Sequence, residues 1–401
     1  MRQAVSGGSC ENGCRSTGTA RAGLRHPARS RPRRRARAHA RELRAAARPP
    51  EGDLEWELAG QPRVSIDKVV DESTAHVVDF CLGETTMGVS RRLMGAPVAC
   101  PGMLAMLCSP PVGMGRTRWH RDITPPSLAP LCGLQQDMLA NGPALLQWNV
   151  ALYDDDVLWV VPGSHRRRNT GAENAQWRFD ARAPMPGSIP VELEAGDGVA
   201  YSNMILHWGS NYTARLRRTL HLGYRCFASR IFPYYAGHGW DLEFADRLSP
   251  ESRKQFELFD ELYTAEIDLI CGIFRAMIDR DAGAFRDGLA RLHPGEQGRM
   301  VALALLSKAA KALPAYCDPG ASEEERRAAA GAFYVNLMEP LRDRFTAQEA
   351  GQLWQLFEPL DARLRAEDEQ FEPMMHVTST RYRFYDMPED FEVDDFTASW
   401  G

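Results

Sequence analysis

The sequence predicts a mainly β core with α additions, followed by a helical C-terminal domain. Residues 100–230 consist of short apolar or alternating runs separated by Gly, Pro, Asp and Asn, which is the pattern of short strands joined by turns. From residue 249 onward, apolar residues instead recur at three- and four-residue steps and so form one face of a helix. No helix of the length typical of an alternating α/β chain is predicted among the strands. This favours an antiparallel barrel or sandwich.

Capping signals place the individual helices. Ser249 followed by Pro250 offers a cap and a proline at the first helical position. The helix near the N-terminal end is expected to be capped by Asp71 or Ser73. Two later helices open with a Ser/Thr-x-x-Glu capping box. The predicted helices cover residues 71–82, a segment that starts at 249, and residues 300–313, 322–338 and 346–360.

These patterns divide the chain into four segments, at residues 1–50, 60–245, 249–370 and 375–401. The first segment is Arg-rich with few large apolar groups, so we expect it to be disordered. The second is the β domain and the third the helical domain. The last is acidic and aromatic, and we expect it to pack back on the body through its aromatic rings. No internal repeat is found.

The charge is unevenly spread. Residues 1–50 carry 13 arginines and only two acidic residues, Glu11 and Glu42, a net charge of +11, so the rest of the chain sums to −16. Three explanations of this basic segment remain open: an artefactual upstream extension of the reading frame, an organelle transit peptide, or a nucleic-acid-binding arm. No aromatic residue is interleaved with the arginines, which does not favour base stacking.

Cysteine usage and hydropathy bear on the compartment. The nine cysteines are scattered and include no Cys-x-x-Cys pair, which argues against a zinc ribbon and a disulfide framework. No apolar run approaches the roughly 20 residues that span a bilayer, and no signal-peptide core follows the N-terminal charges. We therefore expect a cytoplasmic protein, or an organellar one such as mitochondrial if residues 1–50 are a transit peptide. The oligomeric state is left open.

The most informative motif is His120-x-Asp122, read together with His207. On a strand, residues i and i+2 point to the same side, so His120 and Asp122 can converge on one metal ion while Arg121 points away. Two histidines and one carboxylate form the facial triad that holds ferrous iron and leaves three positions open. The spacing alone is a weak signal, because His-x-Asp occurs by chance in long chains.

The surrounding features strengthen this interpretation. Four elements follow one another: Trp119-His120-Arg121-Asp122, the Pro162-Gly163-Ser164-His165 turn, the Ala195-Gly196-Asp197 turn before a strand, and an ending of His207, Asn211 and then Arg217-Arg218. Together they resemble the phytanoyl-CoA dioxygenase family of iron(II)/2-oxoglutarate oxygenases. The resemblance covers roughly residues 100 to 230.

The resemblance implies a double-stranded β-helix, a jelly-roll barrel similar to the cupins, with the helical C-terminal domain added to it. It implies iron(II) held by His120, Asp122 and His207, with 2-oxoglutarate as co-substrate and O2 as oxidant. The expected reaction is hydroxylation of an unactivated C–H bond in a small-molecule or acyl substrate, with release of succinate and CO2. Related halogenases replace the carboxylate with a small residue, so Asp122 favours hydroxylation. Desaturation, epimerisation and ring formation use the same ligands and remain alternatives.

The far carboxylate of 2-oxoglutarate needs a cation, and the planar fork of arginine binds carboxylate bidentately. In the family, this arginine lies on the strand after the distal histidine, where Arg217 and Arg218 adjoin here. Arg217 is preferred because it shares the polar face of that strand with Thr219 and His221, but Arg218 stays open. Gln147 and Asn149 alternate on an otherwise apolar strand, and similar strands in the family line the co-substrate.

Substrate contacts are the least determined. Arg116, Arg118 and Arg121 flank the metal motif and could meet an anionic substrate, although a solvated surface charge is the simpler interpretation. Aromatic residues that could wall the pocket, or belong to the core, are Trp119, Trp148, Tyr153, Tyr201 and Trp208. Two rival functions remain: a non-catalytic barrel that acts as a binding module, and a nucleic-acid-associated protein that uses the Arg-rich arm.

Overall fold

The computed structural model describes most of the chain from residue 63 onward. The described residues are 63–66, 70–108, 116–122, 131–211, 217–227, 242–293, 295–330, 335–365, 369–372, 380–383 and 392–400. The predicted disordered segment 1–50 and most of the acidic tail therefore lie outside the described residues. The predicted domain boundaries remain a prediction.

Five antiparallel strands form the larger sheet, in the order β1-β2-β8-β3-β6. Their bounds are β1 Arg63–Ser65, β2 Ala99–Cys108, β3 Leu145–Ala151, β6 Gly198–Ser202 and β8 Arg218–Cys226. The central strand β8 pairs with β2 on one side and with β3 on the other. Since sequence neighbours are not sheet neighbours here, the chain crosses between strands, as it does in a jelly roll.

Three shorter strands form a second antiparallel sheet, in the order β5-β4-β7. They are β4 Leu158–Val160, β5 Ile189–Pro190 and β7 His207–Gly209. An isolated antiparallel bridge between His120 and His207 extends this sheet by one segment. The predicted antiparallel β region is confirmed. Within the described residues the two sheets do not close into one continuous hydrogen-bonded barrel.

Four helices lie before or between these strands: α1 Ala75–Leu82, α2 Val89–Met94, α3 Leu131–Asn141 and α4 Gly171–Phe179. The first begins later than predicted, because the Asp71 side chain accepts backbone N–H bonds from Ser73 and Thr74 and closes a turn, and Thr74 is the N-cap. Helices α3 and α4 interrupt the strand region, where we predicted none. The fourth carries a full capping box between Thr170 and Glu173.

The helical part is confirmed and consists of α5 Pro250–Ile278, α6 Ala282–Leu292, α7 Glu296–Cys317, α8 Glu323–Ala330, α9 Val335–Arg342, α10 Ala347–Arg365 and α11 Val393–Ala398. Helix α5 begins as predicted, with Ser249 as its cap and Pro250 in its first turn. The predicted capping interactions at Ser322 and Thr346 are also present. The single helix predicted over 322–338 is described instead as α8 and the start of α9, separated by residues outside the described set.

Strands β9 Glu369–Glu372 and β10 Thr380–Arg383 form a separate two-stranded ladder, which was not predicted. Farther on, the aromatic tail packs back on the body, as expected. Phe396 stacks on Phe357 with ring centroids 5.4 Å apart, and Trp400 contacts the Phe285 ring edge-on at 5.0 Å. Such aromatic pairs stabilise beyond their buried area.

One hydrophobic core joins the larger sheet to the helical part. Alternate residues of β3 and β8, including Trp148, Leu220 and Leu222, face α1, α2 and the helices from α5 onward. Trp148 also donates its Nε1–H to the Ser90 hydroxyl at 2.8 Å. The opposite face of the same strands carries polar residues, because side chains alternate along a strand. The helical part therefore covers one face of the sheet and leaves the polar face for a site.

Buried ion pairs also tie the two parts together. The Arg225 guanidinium at the end of β8 binds both carboxylate oxygens of Glu266 on α5, at 2.8 and 2.7 Å, and both side chains are at most 9% exposed. Within the helical part, Lys308 of α7 bonds to the buried Asp361 of α10. Charges as buried as these are stable only when paired.

Helix α7 is long and apolar enough over Gly298–Cys317 to cross a membrane by length and composition, contrary to our expectation. However, 78% of that window is buried inside the protein, which is also typical of the core helix of a soluble protein. The six cysteines whose side chains are described are all free, in keeping with the absence of a predicted disulfide framework.

Candidate metal centre

Two backbone hydrogen bonds bring the two histidines together. The His120 N–H donates to the His207 carbonyl and the His207 N–H donates to the His120 carbonyl, both at 3.0 Å. This bridge places residues 87 positions apart directly opposite each other on neighbouring strands, and their ring centroids lie 4.3 Å apart. Both histidines are buried.

Asp122 completes the cluster. Its Oδ1 lies 3.5 Å from His120 Nε2 and its Oδ2 lies 3.3 Å from His207 Nε2. The three potential ligand atoms all fall within 4.8 Å of one another. Two hydrogen bonds to Asn203 hold the Asp122 backbone in place. The Asp122 N–H donates to the Asn203 carbonyl, and the Asn203 side-chain Nδ2 donates to the Asp122 carbonyl. The predicted triad residues therefore lie together.

Hydrogen bonds to the backbone orient both imidazole rings. His120 Nδ1 is 2.7 Å from the Arg118 carbonyl, and His207 Nδ1 is 3.0 Å from the Ile205 carbonyl. A carbonyl can only accept, so each Nδ1 carries a proton and each ring directs its Nε2 toward Asp122. Metal-binding histidines usually have the other ring nitrogen hydrogen-bonded in this way.

The electrostatics of the cluster match a metal-binding set. Burial opposes ionisation of Asp122, but the charges of His207 and His120 and a hydrogen bond from His207 hold its pKa well below the usual range. Burial likewise opposes protonation of His207, yet the neighbouring Asp122 raises the pKa of that histidine. A cation between these groups would favour the carboxylate in the same way.

Gln147 supports the carboxylate from β3. Its Nε2 donates to Asp122 Oδ2 at 2.7 Å, while its Oε1 is buried without a hydrogen-bond partner among the described residues. A buried polar atom that lacks a partner is costly and points to a missing ligand or water. Gln147 therefore lies beside the metal centre, where the sequence predicted a residue that lines the co-substrate.

Asn149 and His221 form the next pair on the same polar face. The two residues lie directly opposite each other on β3 and β8, and His221 Nδ1 is 2.8 Å from Asn149 Oδ1. The sequence predicts His221 on the polar face of β8 but does not single it out as a site residue. Strand alternation from Gln147 and Asn149 was the signal that could have identified it.

Arg217 immediately precedes β8, at the end of this polar face, and is 3% exposed. Its Nε donates to Asp155 Oδ2 at 2.8 Å, and the Thr219 hydroxyl donates to the same oxygen at 2.7 Å. Burial opposes ionisation of Asp155, but the charge of Arg217 and these hydrogen bonds lower its pKa. Arg218 instead is half-buried and turns its Nη1 back to the Arg217 carbonyl. Asp155 and Thr219 were not predicted as site residues.

The three arginines that flank the metal motif have different surroundings. Arg116 is exposed and contacts the Arg182 carbonyl, and burial together with the charge of Arg182 lowers the pKa of the half-buried Arg118. Arg121 is fully buried and donates to the carbonyls of Met204 and Ser164. The interpretation as a solvated surface charge is therefore wrong for Arg121, and its possible contact with a substrate stays a prediction.

The aromatic residues are mostly structural. Trp119 and Trp208 stack at 5.4 Å in a small core behind the two histidines, and Trp148 packs against α2 on the other face of the sheet. Tyr153 packs against the main core. Of the predicted pocket walls, Tyr201 alone has a described ring contact with the triad, at 5.5 Å from His207.

A family model described as phytanoyl-CoA dioxygenase (PhyH) matches residues 31–219. That range contains the triad, Gln147, Asn149 and both candidate arginines. The resemblance predicted from the sequence motifs is thus confirmed over this range.

Solved structures similar to part of this chain include the following three. AviO1 from Streptomyces viridochromogenes Tue57 is 23% identical with a TM-score of 0.33, over 48% of this chain and 85% of that chain. The carbocyclase SnoK from nogalamycin biosynthesis is 22% identical with a TM-score of 0.33, over 53% and 83%. EctD from S. alaskensis, solved with 2-oxoglutarate and 5-hydroxyectoine, is 18% identical with a TM-score of 0.35, over 47% and 68%. No curated protein matches the chain.

Replacing Gln147 by leucine tests whether the hydrogen bond from Gln147 supports Asp122 as a metal ligand. We expect iron(II) affinity to fall about 10–100-fold, because the substitution removes a hydrogen bond that orients a metal-binding carboxylate. Competition with a chromogenic chelator under anaerobic conditions measures the affinity. Gln176→Leu, on α4 and away from the cluster, is the matched control, and unchanged affinity in Gln147→Leu would contradict the assigned role.

Proposed function

We propose that the protein is an iron(II)/2-oxoglutarate-dependent dioxygenase that hydroxylates an unactivated C–H bond, with release of succinate and CO2. One observation carries the proposal: two imidazole Nε2 atoms and a carboxylate converge within 4.8 Å in the described part of the chain. Neutral imidazole and carboxylate are the ligands of the facial triad that binds iron(II) and leaves positions open.

The residues present fit such a metal. His120, Asp122 and His207 would hold the ion, and the backbone carbonyls of Arg118 and Ile205 fix the two rings so that neither can turn away. Iron(II), 2-oxoglutarate and O2 together supply the oxidising power for attack on the C–H bond. What this chain contributes is ligand geometry, an orienting hydrogen bond from Gln147, and a surrounding of buried strands.

We further propose that 2-oxoglutarate extends from the triad along the polar face of β3 and β8 toward Arg217. Gln147, Asn149 and Arg217 follow one another along that face, and Arg218 turns aside. The bond from Arg217 Nε to Asp155 uses one of five N–H donors and fixes the plane of the guanidinium. We therefore prefer Arg217 as the partner of the far carboxylate.

We make two more specific proposals, one about the fold and one about the outcome of the reaction. We propose that the two sheets are the two halves of a double-stranded β-helix, with the triad between them. Asp122 fills the third ligand position, which favours hydroxylation. Desaturation, epimerisation and ring formation remain the alternatives, since they require the same ligands. A binding module without catalysis is the remaining alternative.

We propose a small-molecule or acyl substrate, which the half-buried Arg118 and exposed Arg116 would suit if it is anionic. A cytoplasmic location, or an organelle if residues 1–50 are a transit peptide, follows from sequence alone. The low aromatic content of that segment gives no support to nucleic acid as a partner.

Succinate formation tests the proposed function without a known substrate. Protein purified anaerobically is supplied with iron(II), 2-oxoglutarate and oxygen, and succinate is measured beside a His120→Ala variant. We expect slow succinate release from the wild type and none above background from the variant. Failure of the wild type to bind either iron or 2-oxoglutarate would overturn the oxygenase assignment. Tight binding without succinate in the presence of candidate substrates would favour the binding module.

A further inference from the structure

The segment immediately before His207 is held at two points by buried side chains from elsewhere in the chain. Arg121 Nε donates to the Met204 carbonyl at 3.0 Å, and the Leu206 N–H donates to Ser164 Oγ at 2.8 Å. Both contacts span more than 40 residues of sequence. These two hydrogen bonds are made to backbone atoms of residues 204–206 rather than to the side chains of the triad.

The residue between these two anchors is Ile205, whose carbonyl accepts the bond from His207 Nδ1 at 3.0 Å. A movement of residues 204–206 would therefore move the acceptor that orients the His207 ring. Because the lone pair of Nε2 points opposite to the Nδ1–H side, a rotated ring would aim it away from Asp122. The two anchors thus act on the metal centre through one backbone carbonyl.

The anchors are themselves supported by a buried network. The Ser164 carbonyl lies 3.4 Å from both Arg121 Nη2 and Gln135 Nε2, so the turn at residues 162–165 is joined to α3. Arg121 and Ser164 are fully buried. A buried guanidinium needs a compensating charge. Glu173 on α4 is 2% exposed and binds Arg167 with both carboxylate oxygens, at 2.7 and 2.8 Å, and the charges of Arg167 and Arg121 both lower its pKa.

We propose that Ser164 and Arg121 are positioning residues that fix residues 204–206 and thereby aim His207 at the metal. This role rests on the proposed function, and it gives the Pro-Gly-Ser-His turn a purpose beyond ending a strand. It also explains why an arginine lies between the two ligands of the His-x-Asp motif. Its guanidinium points away from the proposed metal and bonds to the buried network that holds the segment before His207.

The test is metal affinity in a Ser164→Ala variant, with Mn(II) as the probe and free Mn(II) measured by electron paramagnetic resonance. We expect affinity to fall about 10–100-fold, the range typical of lost outer-shell support. The matched control is Ser307→Ala, because Ser307 is an equally buried serine whose hydroxyl bonds to one backbone carbonyl of α7. That variant loses a comparable hydrogen bond and should bind Mn(II) like the wild type.

A spectroscopic signature separates positioning from general destabilisation. The Co(II) absorption spectrum reports ligand geometry, so Ser164→Ala should alter it while Ser307→Ala should not. Should Ser164→Ala fail to fold, Arg121→Lys serves in its place, since lysine keeps the charge near Glu173 but lacks the planar fork that reaches two carbonyls.

The outcomes are distinct. Weaker binding and an altered spectrum in Ser164→Ala or Arg121→Lys alone support the positioning role. Wild-type affinity in these variants, or an equal loss in Ser307→Ala, overturns it. If the wild-type protein itself binds neither Mn(II) nor Co(II), the proposed metal centre fails instead, and that result is visible before any variant is made.

Discussion

Replacing Asp122 by asparagine is expected to lower iron(II) affinity below detection. The loss should exceed the roughly 10–100-fold that is typical when a residue that hydrogen-bonds to a metal ligand is replaced. Asparagine keeps the size of the side chain and still accepts the hydrogen bond from Gln147, so the surrounding contacts survive. What disappears is the one formal negative charge among the three ligands. An ion held by two neutral imidazoles and an amide is bound by much weaker electrostatic attraction.

Isothermal titration with iron(II) under anaerobic conditions measures the effect, and circular dichroism checks the fold. Asp137→Asn is the matched control, because Asp137 is also a buried carboxylate, 2.9 Å from His293 Nε2, but lies between α3 and α7 outside the triad. That control is expected to bind iron as the wild type does. Comparable iron affinity in Asp122→Asn would remove the basis for the triad.

The second large effect concerns stability. Removing Glu266 by substitution with alanine is expected to cost about 3–5 kcal/mol of unfolding free energy, because Arg225 would be left buried without its counter-charge. The pair joins the end of β8 to α5, so the loss weakens the contact between the sheet and the helical part. Urea denaturation measures it, with an unchanged slope as the sign that the unfolding reaction itself is the same.

The exposed pair of Arg286 and Asp394 provides the contrast. Its side chains are 44% and 74% exposed, so Asp394→Ala should change stability by no more than about 1 kcal/mol. Replacing both Arg225 and Glu266 by apolar residues of similar size should cost less than Glu266→Ala alone, since no charge stays buried. If the double replacement lowered the unfolding free energy as much as Glu266→Ala does, the attraction between the two charges would itself stabilise the fold. It would then do more than offset the cost of burying each charge.

Sequence patterns predicted those features that depend on local periodicity or on fixed spacing. The change from strand-like to helical periodicity near residue 249 predicted the two structural parts, and Ser249-Pro250 predicted the start of α5. The i, i+2 spacing of His120 and Asp122 predicted that both side chains turn to one side. Strand alternation also predicted that Arg217 shares a face with His221, as the register of β8 requires.

What escaped prediction depends on contacts between distant residues. The pairing of Arg217 with Asp155 joins residues 62 positions apart, and the bonds from Arg121 cross 83 and 43 positions. Nothing in local sequence distinguishes an arginine that will be buried behind the site from one that faces solvent. Trp148 was left open between pocket wall and core for the same reason. Alternation separates it from Gln147, but only the position of the helical part makes its face the core.

Residues at odd and even positions of strand β8 face opposite sides of the sheet and lie in different surroundings. Thr219 and His221 serve the polar side, and Leu220 and Leu222 serve the core beneath the helices. Inserting or deleting one residue within β8 would exchange these faces and put leucine beside the metal centre and histidine into the core. A change of length before residue 217 would leave this alternation unchanged, whereas a one-residue change within β8 would not.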